Sequence, residues 1–195
     1  MPYRTILMFG PPGAGKGTWG NVLKQIPGMY HFSSGDMFRA LDPSSPMGKV
    51  TLESLRHGEL VPDEQAITLW REQMKRLVDF GEFDPLNHYL ILDGLPRTSA
   101  QVDMVKDDLD VQVIVALDCP DRDVLVQRLY RRALMQHRAD DAKEETILKR
   151  FEVYDERTEG VLRHYSANLI HKIDVSHPPP RILAEIGQAL SDHLG

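Results

Sequence analysis

Cysteine is almost missing from this chain. A single residue, Cys119, excludes an internal disulfide and any zinc site built on cysteines. Basic charge is also in deficit: 23 Lys and Arg stand against 29 Asp and Glu, a formal net charge of −6. A general nucleic-acid binder carries the opposite excess, so no nucleic-acid partner is expected. Long apolar runs are absent as well. The longest, such as Val111 to Leu117, are far too short to cross a bilayer. The first residues show no basic segment followed by a long apolar stretch and a small-residue cleavage site. The expectation is a soluble, cytoplasmic protein in a reducing compartment, with no membrane partner. The 42% apolar and 27% charged residues are ordinary globular usage, and 195 residues suffice for one well-packed core.

Strand and helix patterns alternate along the chain. Tyr3 to Phe9 reads as a strand and runs straight into Gly10 to Thr18. A helix follows, with Trp19, Val22, Leu23 and Ile26 on one face and Pro27-Gly28 as its stop. Tyr89–Leu92 and Val111–Leu117 read as buried strands, each ending in an aspartate, Asp93 and Asp118; Tyr30–Phe32 and Leu169–Ile173 are shorter candidates. Helical patterns cover Met47–His57, Asp63–Val78, Ser99–Asp107, Arg122–Gln136, Glu144–Tyr165 and Pro179–Leu194. This alternation predicts an α/β fold, a parallel sheet with helices on both faces. The breakers at 43–46 and 177–180 do not divide the chain, so residues 1–195 are expected to form a single domain.

The segment Gly10-Pro11-Pro12-Gly13-Ala14-Gly15-Lys16-Gly17-Thr18 lies between a strand and a helix, as a phosphate-binding loop requires. Its glycines permit a tight turn whose backbone N–H groups point at an anion. The helix N-terminus adds its dipole, and Lys16 adds a charge that can follow the phosphates. No N-K-x-D guanine motif occurs. No glutamate follows Asp93 to activate water, although Asp93 can hold magnesium through water. The pattern favours transfer to a bound acceptor over hydrolysis.

The loop resembles that of the adenylate kinases, whose usual form is G-x-P-G-x-G-K-G-T. The stretches Ser33-Ser34-Gly35-Asp36-Met37-Phe38-Arg39, Leu60-Val61-Pro62-Asp63-Glu64 and Asp93-Gly94-Leu95-Pro96-Arg97-Thr98 resemble the family in the same order. Arg128, Arg132, Arg138, Asp140-Asp141 and Arg150 resemble its lid and flanks. The resemblance implies a P-loop NTPase-type, three-layer, five-stranded core. It also implies an AMP-binding flap near 33–62, a short lid near 131–142, and the reaction MgATP + AMP ⇌ 2 ADP by a monomer. Transfer of this kind is carried by positioning and charge neutralisation, for which arginine is suited.

The same resemblance distributes roles. Gly13, Ala14, Gly15, Lys16, Gly17, Thr18, Arg128 and Arg132 would bind ATP, with Mg2+ held by its phosphates, by water and by Asp93, and with no zinc. Ser34, Arg39, Glu59, Leu60, Val61, Gly94, Leu95, Pro96, Arg97, Gln101, Arg138 and Arg150 would bind AMP. Lys16, Asp93, Arg97, Arg132, Arg138 and Arg150 would form the catalytic set, with Asp140 and Asp141 orienting the lid arginines. Gln101 would read the base, since a carboxamide offers donor and acceptor together. Arg39 can equally form an i,i+3 pair with Asp36, and Arg150 can point outward from its helix. UMP/CMP kinase and a non-catalytic nucleotide-binding protein are the alternative functions.

Several positions depart from the family pattern. The stretch from Asp141 to Arg150 is one residue longer, which must be absorbed before the helix or Arg150 turns away by about 100°. Trp19 stands for a commoner glutamine, Leu95 for an aromatic and His137 for a glycine.

Overall fold

The computed structural model describes residues 1–136, 138 and 141–194. Five parallel strands form one sheet in the order β2-β3-β1-β4-β5. They are β1 (Tyr3–Phe9), β2 (Met29–Ser33), β3 (Tyr89–Asp93), β4 (Leu109–Asp118) and β5 (Ile170–Asp174).

Strand periodicity sorts the side chains between two cores. Ile6, Met8, Ile91, Val113, Val115 and Leu117 share one core with Leu23, Leu125, Leu129, Ile182 and Ile186. Those partners come from α1 (Lys16–Leu23), α6 (Arg122–Gln136) and α8 (Pro179–Ser191). Leu7, Phe9, Leu90, Leu92, Ile114 and Ala116 pack on the opposite face against Ile67, Trp70, Met74 and Val105. These belong to α4 (Asp63–Asp79) and α5 (Ser99–Val105). The result is three layers, helices on a sheet on helices, in a P-loop NTPase-type fold. No helix among the described residues is long and apolar enough to cross a membrane.

Four expected helices change, the last of them, α8, stopping at Ser191 rather than at Leu194. The first ends at Leu23, because the N–H groups of Gln25 and Ile26 bond to Val22 and Leu23 and tighten the chain. Pro27 also disfavours helical geometry at Ile26, which is left exposed. The helix after Ser99 stops at Val105 rather than at Asp107. The long pattern from Glu144 breaks into α7 (Glu144–Val153), a π turn at 154–158 and a 3-10 segment at 159–164. In that turn the Thr158 hydroxyl donates to the Arg97 carbonyl at 3.1 Å, a tertiary contact no local pattern announces. Within 33–62 lie α2 (Ser34–Arg39), seen in the sequence only as a motif, and α3 (Pro46–His57).

Candidate active site

The phosphate loop leaves the central strand and enters α1. Gly10, Gly13 and Gly15 have φ of 143°, 84° and 93°, values open to glycine but strained for other residues. A Cβ on Gly13 would lie 2.7 Å from the Leu125 carbonyl oxygen, so even alanine is excluded by space. Lys16, the first residue of α1, folds back and donates to the carbonyls of Gly10 at 2.6 Å and Pro11 at 3.2 Å. Burial lowers its ammonium to about 8, with Arg97, Arg150 and Arg132 adding to the shift and Asp93 opposing it. Ala14 is buried, Gly17 approaches Asp93, and Thr18 is exposed on the first turn. Trp19 packs in the core beneath the loop.

Beside the loop a cleft of about 980 Å³, its open mouth included, lies at the carboxyl ends of the strands. Ligands occupy this edge in open α/β sheets. Of the residues predicted to hold the acceptor nucleotide, Arg39, Glu59, Leu60, Val61, Gly94, Leu95, Pro96, Arg97, Gln101 and Arg150 line it, together with Lys16. Gly94 has φ +88°, and a Cβ there would come within 2.4 Å of Ser34 Oγ and 2.8 Å of Arg97 Nη2. Ser34 is buried behind Gly94, outside the lining, and its Oγ has no hydrogen-bond partner among the described residues. Arg97 donates from Nε to the Gly94 carbonyl at 2.7 Å, which holds the side chain across the strand end. Burial lowers Arg97 to about 10, opposed by Asp93 and reinforced by Arg150 and Arg39, so it stays charged at neutral pH.

Two carboxylates gather the other arginines. Asp141 is fully buried and accepts from Arg132 Nε at 2.6 Å and Nη2 at 2.9 Å, and also from Arg150 Nη1. Burial alone would raise its carboxyl. The bonds from Arg132 and the charges of Arg150, Arg132 and Arg138 hold it below the usual range. Asp36 Oδ1 accepts from Arg39 at 2.6 Å and from Arg138 at 3.0 Å. The i,i+3 pair of Arg39 therefore forms, and Arg39 still lines the cleft. Burial likewise lowers Arg138, with Arg39 and Arg132 contributing. Arg150 faces inward: from α7, which begins at Glu144 as its pattern predicts, it lines the cleft and donates to Asp141. Arg128, one turn before Arg132 on α6, donates to the Val175 carbonyl at 2.8 Å, close to the proline run at 178–180. Asp140 and His137 lie outside the described residues.

Beyond the Arg39–Asp36 pair, the sequence assigned no role to Asp63, Thr158 or Tyr154, nor to Asp36 as a partner of Arg138. Tyr154 and Thr158 line the cleft from the π turn. Asp63 bonds Gln101 and Thr98. Its position just after Leu60-Val61-Pro62 was the one available signal, and it named no partner.

Lys16, Arg39, Arg97 and Arg150 converge on this one cleft beside the glycine loop, as transfer between phosphate-bearing molecules requires. Fold and site together define a nucleoside monophosphate kinase, a phosphotransferase of the P-loop class. A sequence model of the family described as adenylate kinase matches residues 8–170. The adenylate kinase of Thermus thermophilus is 34% identical over 194 residues, covering 96% of this chain and 97% of that protein. Adenylate kinase 1 of Schistosoma mansoni is 35% identical over 190 residues, 96% of this chain and 92% of its own. The adenylate kinase of a Synechococcus strain is 37% identical over 168 residues, 83% and 82% of the two chains. The chain belongs to the adenylate kinase family.

Proposed function

We propose that the protein catalyses MgATP + AMP ⇌ 2 ADP. The observation that carries this reading is that Lys16, Arg39, Arg97 and Arg150 line one cleft beside the glycine loop. An AMP phosphate gripped by Arg39 and Arg97 lies between the acceptor pocket and the loop that cradles the ATP phosphates. One of its oxygens attacks the γ-phosphorus as the bond to the β,γ-bridging oxygen breaks. Lys16, Arg132, Arg138 and Arg150 take up the charge that spreads over the transferring group. Arg128 orients the ATP base side, and Gln101 reads the AMP base.

Magnesium enters with ATP, where it neutralises phosphate charge. The residues present suit an ion held chiefly by phosphates and water. Asp93 ends β3 with Gly17 beside it, and the described residues contain no group of three or more His, Cys, Asp or Glu side chains placed to hold a metal. Residues 33–62 act as the acceptor flap and 131–142 as a short lid. Their closure excludes water, which would otherwise compete as acceptor. The protein works as a cytoplasmic monomer.

ADP production from MgATP with AMP, CMP, UMP, GMP or no acceptor tests the reading, with Lys16→Ala alongside. ADP formed with AMP alone and lost by at least about 10²-fold in the variant is expected. Preference for CMP or UMP would move the assignment to a pyrimidine-nucleotide kinase. ATP binding without transfer to any acceptor would leave a nucleotide-binding protein.

A further inference from the structure

Gln101 lines the cleft yet is only 1% exposed, and the protein engages both ends of its carboxamide. Its Oε1 accepts the Arg97 backbone N–H at 2.6 Å, and its Nε2 donates to Asp63 Oδ1 at 2.7 Å. The other oxygen of Asp63 accepts from the Thr98 hydroxyl at 3.0 Å. Asp63 opens α4, directly after the Glu59–Val61 wall of the same cleft.

One neighbour of the carboxamide, a backbone N–H, can only donate, and the other is a carboxylate oxygen that accepts. A flipped Gln101 would set NH2 against N–H and oxygen against carboxylate, losing both bonds. A carboxamide has two N–H donors and two oxygen lone pairs. The protein uses one of each, so one of each remains, in an order set by these two partners. Arg97 N–H belongs to the backbone and cannot change. Asp63 is the variable half of the lock.

We propose that Asp63 is a specificity-determining positioning residue: by fixing the orientation of Gln101 it decides which purine edge the acceptor site takes. The inference rests on Gln101 reading the acceptor base. Adenine presents an amino donor beside the N1 acceptor. Hypoxanthine and guanine present a carbonyl acceptor beside an N1–H donor, the reverse order. A Gln101 held one way suits the first and opposes the second, whereas one free to flip accommodates both. Asn at position 63 removes half of the enforcement, because its own amide can turn to meet either end of Gln101, leaving only the Arg97 N–H to oppose a flip.

The test compares kcat/KM for AMP and IMP, which differ at this edge, in the native enzyme, Asp63→Asn and Asp63→Glu. Asp63→Asn is expected to cut the AMP:IMP ratio by about tenfold, the worth of a hydrogen bond to a charged partner. The change should lie in the KM of the acceptors, with kcat and the KM for MgATP unchanged. Asp63→Glu, still acceptor-only, keeps the preference. An unaltered ratio in Asp63→Asn, or a fall in every constant together, would overturn the proposal. Should Asp63→Asn fail to fold, the native protein still decides by NMR. Separate, slowly exchanging Gln101 side-chain amide protons are expected, and rapid exchange with water would refute the lock. A native enzyme that forms ADP from AMP and IMP equally, with those protons protected, removes base reading by Gln101 and this proposal with it. Failure to use AMP at all overturns the broader assignment instead.

Discussion

Asp141 and Arg132 form a two-point ion pair, Nε to Oδ2 at 2.6 Å and Nη2 to Oδ1 at 2.9 Å, with the carboxylate fully buried. Arg150 meets the same carboxylate from α7. One aspartate therefore sets the spacing of two guanidinium groups that originate on different helices. Both planes are oriented before any phosphate arrives, which avoids a reorganisation cost during transfer.

Asp141→Asn tests that arrangement. It keeps the volume but removes the charge that both arginines share. We expect kcat to fall by about 10²–10³, the scale of losing one preorganised charge-stabilising group. Thermal stability should fall too, since two cations lose a buried counter-charge. Steady-state kinetics and a melting curve check both; an unchanged kcat would mean the pair serves only folding.

Lys16 predicts a pH effect confined to the free enzyme. With its ammonium near 8, the cation is present below that pH and lost above it. The kcat/KM for MgATP, which reports free-enzyme groups, should decline above about pH 8. Bound phosphates restore the proton by attraction, so kcat should stay level over the same range. Arg97, near 10, remains charged throughout and adds no inflection below pH 9 or so. Parallel pH profiles of kcat and kcat/KM give the comparison.

Gly94→Ala should damage the acceptor side alone. The new Cβ meets Ser34 Oγ at 2.4 Å and Arg97 Nη2 at 2.8 Å on a backbone of φ +88°. Displacing Arg97 removes a phosphate grip, so KM for AMP should rise by about tenfold or more while KM for MgATP is kept. Equal losses for both substrates would argue against this division of the site.

His31 and Gly20 pack face to face: a Cβ on Gly20 would stand 2.3 Å from His31 Nε2. Gly20→Ala should cost about 1–3 kcal/mol by overpacking, and adding His31→Ala should recover much of it. Burial holds His31 below its ordinary value of 6.5, with Lys24 adding to the shift against Asp93 and Asp36. Its neutral form is thus preferred in the folded state. That stability is complete above the unfolded value and is lost as pH falls from about 6.5 through the lower folded value. His31→Asn should flatten the decline in melting temperature over that window.

The glycine loop, its strand and its helix were legible because their chemistry is local. A loop of glycines, a following lysine and a flanking strand state their purpose within a few residues. The alternation of strands and helices likewise declared the layers, since burial on both faces demands continuous apolar runs such as Val111–Leu117. The strand order, which sets β3 and β4 on either side of β1, is not written in any one run.

What the tertiary structure alone decided is which charges and amides meet. Arg150 could have pointed outward from its helix, and only the packed fold brings it to the cleft and to Asp141. Gln101 and Asp63, 38 positions apart, become partners because α4 and α5 lie side by side on one face of the sheet. The reason is physical: residue type and spacing encode local geometry, whereas the orientation of a carboxylate or carboxamide depends on groups delivered by distant elements.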